Sequence, residues 1–488
     1  MRKKAAIVLL LGLAVGMPVF SQVMRPSDLS YPPLTYNPPD PLLLRTVYNN
    51  GLKAYFAEDR SLPAVTIVAQ IQYGSLFDPQ DKAGLAQLMQ GTLIKGGTLT
   101  RHGSLIEERI DFLGATLNFT IGERISTLTL SLMSKDLIEG LAIFFDVLMH
   151  PEFREESLGI ARGRAIEELR QVNDSPRPLV EREFARLLYG EHPITFQPVR
   201  QSVESVSGHD LKAAHARYFL PNNVILAVSG DFDRKAIKSQ IGRLTASWKK
   251  QRLSLPPMSG RFPECRPGLY YVQKEISQGY VNMGHLGIEE TNPDYFAVQV
   301  MNFILGGGSF TSRITSKVRS DEGLAYNTGS RFAYRWGFPG VFAGYVQTKS
   351  VTVGYAVDLI RREFERIRVE PVADDELATA KNYFLESFAD FFATPQTTVR
   401  NFAALDLQGR PLDYYRTYRD QVNRITKESV LEAARTYLHP DKTVILIVGN
   451  WSACNVTSEK FPFTLEKFGP VQPVFLIDRF GDRQGTKP

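Results

Sequence analysis

The sequence predicts an α+β protein built from two related domains, and three observations carry that reading. The first is a repeat. Residues 206–231 read VSGHDLKAAHARYFLPNNVILAVSGD and residues 425–450 read ITKESVLEAARTYLHPDKTVILIVGN, superposing without a gap at a constant offset of 219. Leu211 falls on Val430, Tyr218 on Tyr437, Pro221 on Pro440 and Gly230 on Gly449, and further upstream Leu158 falls on Leu377, Pro176 on Pro395 and Gly190 on Gly409. The second is the pattern inside each copy: a helix with an N-cap candidate (Ser207, Thr426), a proline-ended turn, then a short β-branched run (Val224 to Val228, Val444 to Val448) that reads as a buried strand. The third is size: 488 residues at 43% hydrophobic are too many for one compact core and too apolar for disorder.

Taken in order, the chain opens with a positive Arg2-Lys3-Lys4, an apolar run from Ala5 to Gly16 and a small-residue site at Val19-Phe20-Ser21. This is the pattern of a signal peptide over residues 1–21. An uncleaved anchor is the competing reading, but the run is shorter than the roughly 20 residues a bilayer span needs. No cysteine follows it, which argues against a lipoprotein. A proline-rich segment covers 22–42, and the first domain runs over 43–250. Residues 251–267, with Pro256, Pro257, Pro263 and Pro267, form a linker. The second domain covers 268–455, and a tail over 456–488 has no counterpart in the other half. Strands are expected at Ala64 to Tyr73 and Gly279 to Leu286.

Composition excludes several classes. The balance of 57 basic to 52 acidic residues is mild, and no basic run suggests a nucleic-acid surface. No second long apolar stretch follows the leader, so no stable membrane insertion is expected after cleavage. Cys265 and Cys454 are the two cysteines; in an oxidising compartment they form either a disulfide or two free thiols, and spacing does not choose. The seven histidines include no pair at the one-turn spacing that sets two imidazoles on one helix face.

The stretch Gly84-Leu85-Ala86-Gln87-Leu88-Met89-Gln90-Gly91-Thr92-Leu93-Ile94-Lys95-Gly96 resembles the metal-binding helix of the pitrilysin and mitochondrial processing peptidase (insulinase) family of inverted zinc peptidases. In that family H-x-x-E-H lies between Gly-Leu-Ala and an apolar run ending Lys-Gly. Here Gln87 and Gly91 stand at the two histidine positions and Gln90 at the general-base glutamate. The third ligand of the family corresponds to Glu168, in a helix expected over Glu155 to Val172; read alone, Glu168 is a solvent-facing helical carboxylate. A glutamine amide is a poor zinc ligand and no base near neutral pH, and glycine has no side chain. No metal is expected on this chain. Asn50-Gly51-Leu52, Tyr73-Gly74-Ser75, His192-Pro193 and Pro221-Asn222-Asn223 extend the resemblance, which covers nearly the whole chain after the leader. It implies two domains, each a mixed, mainly antiparallel sheet with helices packed on one face.

Gly306-Gly307-Gly308-Ser309-Phe310-Thr311-Ser312-Arg313-Ile314, followed by Val318 to Tyr326, resembles the second half of active family members. Read alone, three glycines after the apolar helix Phe296 to Leu305 are a loop. The resemblance makes Gly306, Gly307, Gly308 and Ser309 substrate-binding, with Ser309, Thr311 or Ser312 capping the next helix and leaving its first amides free. It also pairs Arg319 with Tyr326 as donors to a substrate carbonyl; read alone, these are a helix-surface arginine and a core tyrosine. Asn118-Phe119, in the alternating stretch Gly114 to Ser131, fits the edge strand that takes an extended substrate by β-augmentation, or else a strand packed within its own sheet. Together these imply an exported, most naturally periplasmic, non-catalytic subunit. A homologous zinc-bearing peptidase partner would supply metal and base, and the substrate would be a peptide or unfolded protein. The alternative is an inactive peptide-binding or scaffold homologue without such a partner.

Overall fold

The computed structural model describes residues 36–256, 258, 262 and 266–481. The expected signal peptide, residues 22–35 of the proline-rich segment, Cys265 and residues 482–488 lie outside the described residues. Six strands form the first sheet: β1 Arg45–Val47, β2 Lys53–Glu58, β3 Ala64–Ile71, β4 Thr116–Ile121, β5 Ser126–Met133 and β6 Val224–Gly230, ordered β1-β2-β6-β3-β5-β4. Six more form the second: β7 Gly268–Gln273, β8 Gln278–Leu286, β9 Ala325–Phe332, β10 Val341–Lys349, β11 Val444–Gly449 and β12 Val471–Pro473, ordered β12-β7-β11-β8-β10-β9. In both sheets the central strands β6 and β11 run parallel to one neighbour (β2, β7) and antiparallel to the other (β3, β8). The sheets are mixed and mainly antiparallel.

The helices repeat with the strands. In chain order they include α1 Leu85–Thr92, α2 Gly103–Phe112, α3 Leu137–Met149, α4 Glu155–Gln171, α5 Pro176–Tyr189, α6 Gly208–Tyr218, α7 Tyr295–Asn302, α8 Val353–Val369, α9 Asp374–Glu386, α10 Pro395–Leu407 and α11 Lys427–Tyr437. The starts of α4 and α9, α5 and α10, and α6 and α11 are each separated by the repeat offset. The cap candidates act as such: the Ser207 hydroxyl accepts from the Asp210 N–H and the Thr426 hydroxyl from the Ser429 N–H. In α5 and α10 the proline is the first helical residue, where its missing N–H costs nothing.

Helices of its own half cover one face of each sheet, as expected, but the other face is covered by exchange. Helix α5 packs on β11 and β8 of the second sheet, and α10 packs on β6, β2 and β3 of the first. The alternation of β11 shows the division: Val444, Leu446 and Val448 join the core of the first half, while Ile445 and Ile447 join that of the second. Every residue of β11 is buried. The tail, expected only as an extended segment, supplies β12 parallel to β7 and then crosses to the first half, where the Arg200 N–H donates to the Arg479 carbonyl over 2.8 Å. Cys454 is a buried free thiol.

Ionic contacts lock the exchange. Near the end of α10, Asp406 forms an ion pair with Arg45 Nε at 2.8 Å and accepts hydrogen bonds from Lys53 Nζ at 2.6 Å and the Tyr55 hydroxyl at 2.8 Å, all on β1 and β2. Its side chain is only 8% exposed, so removing the carboxylate strands two cations and a phenol. Asp406→Ala is expected to destabilise the protein by about 2 kcal/mol, less than breaking a fully buried pair costs, because the lysine and arginine keep some solvent. A fall in the urea midpoint checks this.

Candidate functional site

Helix α1 sets the geometry of the first half. Leu85, Ala86, Leu88, Met89 and Thr92 are buried, which leaves Gln87, Gln90 and Gly91 on the opposite face, one turn apart. The helix begins after Gly84, whose φ of +104° suits glycine and few other residues. Its first amides are taken by a distant carboxylate: Asp78 accepts the Gly84 and Ala86 N–H groups at 3.1 Å. Burial nevertheless outweighs these amide bonds and pushes the Asp78 carboxyl up to about 7.

The four positions matched to the metal site come together around one cavity of about 510 Å³, rimmed also by Lys95, His102, Glu107, Glu156 and Arg164. Their groups are spent on each other and on the backbone. Gln87 Nε2 donates to Glu168 Oε2 over 2.6 Å, and Gln90 Oε1 accepts the Ile121 N–H over 2.8 Å. Glu168 is thus exposed yet partnered, and Gln90 ties the end of β4. A Cβ on Gly91 would lie 2.9 Å from the Ala161 Cβ of α4, closer than two such atoms pack. A zinc ion does not fit this donor set: one carboxylate, already bonded to an amide, faces a glycine. Among the described residues no group of three or more His, Cys, Asp or Glu side chains is placed to hold a metal.

Beside this cavity runs a second, of about 450 Å³, between α2 and β4. β4 is the edge of its sheet. Asn118 is exposed there, but Phe119 is turned inward, 4% exposed and 6.1 Å from the Phe219 ring. The strand's alternation decides this, so Phe119 can offer only its main chain to a ligand, which is the part that β-augmentation uses.

In the second half, α7 runs on into a π-helical turn, Phe303–Gly307, and the glycines serve packing more than openness. Gly306 is buried, and a Cβ there would meet the Ser330 N of β9 at 2.3 Å. The Gly308 N–H is spent on the Phe303 carbonyl at 2.8 Å, while Gly307 is exposed. Ser309 is exposed with φ +52°, an uncommon conformation for a non-glycine. The expected cap does not form. The Thr311 and Ser312 hydroxyls donate back to the Gly308 and Ser309 carbonyls, and after one turn, Arg313–Thr315, the chain enters a second π-helical turn, Ser316–Asp321.

That turn carries Arg319. Its guanidinium carbon lies 4.1 Å from the Tyr326 ring centroid and 4.3 Å from that of Phe310. Tyr326 is 84% exposed, so it is not a core tyrosine, and Phe310 is 60% exposed. The neighbouring acids do not neutralise Arg319: Asp321 and Glu322 pair with Lys317 at 3.7 and 3.1 Å. Phe310 escaped the sequence reading, although a large aromatic two residues after a glycine run is the kind of residue that can be left exposed.

Residues 54–196 match the insulinase (peptidase family M16) domain and residues 205–384 the peptidase M16 inactive domain, together more than half the chain. The chain belongs to the M16 family. Among curated relatives it is similar to the non-peptidase homolog YmxG of Helicobacter pylori, 22% identical over 460 residues that cover 92% of this chain and 99% of that one. Among solved structures it is similar to the peptidase M16 inactive domain from Pseudomonas fluorescens, with TM-score 0.74 and 26% identity over 83% of this chain and 97% of that one. The periplasmic protease PqqL of Escherichia coli shares the fold at TM-score 0.70 and 14% identity, over 83% of this chain and 45% of that one. Within M16, this chain is a homologue whose metal-site positions carry two amides and a glycine.

Two expected outcomes test this geometry. Rebuilding the motif as Gln87→His, Gln90→Glu and Gly91→His should lower thermal stability, because the new Cβ collides with Ala161; adding Ala161→Gly should recover part of the loss. The second concerns Asp78. Its carboxyl titrates near 7 when folded against an ordinary 3.8, so the folded state binds the extra proton between those values and stability falls as pH rises through them. The fall is on the order of 3 kcal/mol, and Asp78→Asn should flatten that slope in urea titrations run from pH 4 to 8.

Proposed function

We propose that this chain is the non-catalytic subunit of an exported, heteromeric zinc peptidase. A homologous partner supplies metal and general base, and this chain supplies Arg319, Tyr326 and the Gly307-Gly308-Ser309 segment to a shared site. The observation that carries the reading is the contrast between the halves. The amides at the metal-site positions are satisfied internally, whereas Arg319 and Tyr326 are held against each other at the surface with the guanidinium free of any ion pair among the described residues. The chain spans 45% of PqqL, which is what one half of a longer two-half protease would span. The non-peptidase designation of the Helicobacter relative fits the same role. Export is supported by the leader-like residues 1–21, and no helix among the described residues is long and apolar enough to cross a membrane.

In this role the guanidinium and the phenol donate hydrogen bonds to a substrate carbonyl and to the negative charge that develops on its oxygen. The edge of β4 at Asn118 binds an extended segment through the main chain. The test is reconstitution with a homologue that carries an intact H-x-x-E-H. Cleavage of an unfolded protein by the mixture should exceed that by the partner alone, and Arg319→Ala should lower it about 10²-fold, the range for removing one such donor. Unchanged cleavage in the Arg319→Ala and Tyr326→Phe mixtures would leave the inactive scaffold reading in its place.

A further inference from the structure

The surroundings of Arg319 define what chemistry it will accept. Two aromatic rings lie 4.1 and 4.3 Å from the guanidinium carbon, so both make cation–π contact and cover part of the group without accepting from its N–H donors in the way an acid would. Among the described residues the charge has no ion-pair partner, since the two nearest acids in sequence belong to Lys317. The flanking ring of Phe310 is delivered by a backbone conformation at Ser309 that few non-glycine residues adopt, and it stays 60% exposed. A planar cation packed against aromatic rings and left without an acidic partner is matched by a planar anion that accepts two parallel hydrogen bonds. A neutral carbonyl would satisfy one donor and leave the charge unmet.

We infer that Phe310, Arg319 and Tyr326 form a carboxylate clamp, and that the peptides this chain receives are held by one carboxylate, either a free C-terminus or an acidic side chain. This deepens the proposed function and rests on its reading that the Arg319–Tyr326 surface meets peptide. It is compatible with that role, because a guanidinium has five N–H donors. Two serve the carboxylate, which leaves others and the Tyr326 hydroxyl for a neighbouring carbonyl. Phe310 is a positioning residue, acting through Arg319.

The experiment is calorimetric titration of the full chain, without any partner, against three short peptides of one sequence. One ends in a free acid, one in an amide, and one in an amide with a single glutamate introduced; none carries other charges. The acid, the glutamate peptide or both should bind about ten-fold tighter than the neutral amide, and which of them does identifies the source of the carboxylate. Arg319→Lys keeps the charge but not the plane and should lose most of the preference, and Arg319→Gln should lose all of it. Phe310→Ala should weaken the carboxylate peptides about three-fold. Equal binding of all three peptides overturns the clamp, as does binding of neither carboxylate peptide at about 1 mM, or a preference that survives Arg319→Gln or is untouched by Phe310→Ala. All the altered side chains are at least partly exposed, so circular dichroism should show folded variants. Equal peptide binding together with an Arg319→Ala defect in the reconstituted peptidase removes the clamp and keeps the shared site. Carboxylate binding without any stimulation of a partner does the reverse.

Discussion

The central strands β6 and β11 are apolar on both faces, and the rest of the architecture answers that demand. A strand buried on both sides needs two covering layers, and each half's own helices provide only one. The second layer comes from the opposite half, as α5 on the second sheet and α10 on the first. Neither sheet is complete alone, so the repeat is also an exchange. The carboxylate of Asp406 and the contacts of the tail around Arg479 then fix the two halves. Two hairpin tips join as well: Glu123 and Arg124, between β4 and β5, engage Arg335 and the Trp336 carbonyl, between β9 and β10.

This scaffold separates residues kept for packing from residues that packing does not explain. Gly306 lets the π-helical turn lie against β9, so its presence is accounted for whatever the chain does. Asp78 and Gly84 hold the start of α1 and are accounted for in the same way. Arg319 and Tyr326 are different. An 84% exposed tyrosine and an arginine without an ion pair among the described residues contribute little to a core, and exposed cation–π contacts are worth about 0.5–1 kcal/mol each. Packing therefore accounts for the glycines that first draw the eye but not for this pair and its neighbour Phe310.

Much of the fold was legible because it is local and duplicated. The offset of 219 located the starts of α4 and α9, α5 and α10, and α6 and α11, and the Ser207 and Thr426 caps follow from short-range chemistry. What escaped depends on contacts between distant parts. Nothing in the pattern of α5 says that its apolar stripe faces the other half's sheet, and the three residues of β12 carry no strand signal until β7 is beside them. The inward turn of Phe119 is a matter of register, since one step along β4 exchanges it with Asn118. The failed cap after Gly308 has a similar origin: with Gly306 pressed on β9, the hydroxyls of Thr311 and Ser312 reach the preceding carbonyls first. At the metal-site positions the sequence identified the lost donors but not their new partners, because hydrogen bonds from Gln87 to Glu168 and from Ile121 to Gln90 join segments far apart in the chain.

Those new partners explain why glutamine, of all possible replacements, suits the altered face of α1. Glu168 reaches over α1, and a group that donates without charge neutralises its hydrogen-bonding need at no desolvation cost comparable to that of a second ion. Gln87 does so at 2.6 Å. β4, as an edge strand, presents N–H groups that want acceptors, and Gln90 provides one at Ile121. A glutamate at 90 would also accept that bond, but its charge would join Glu107, Glu156 and Glu168 around the same cavity, where like charges raise one another's cost. Glycine at 91 lets α4 approach until Ala161 fills the space that a side chain would need. The three residues act together: two amides make hydrogen bonds to distant parts of the chain, and the glycine lets two helices approach.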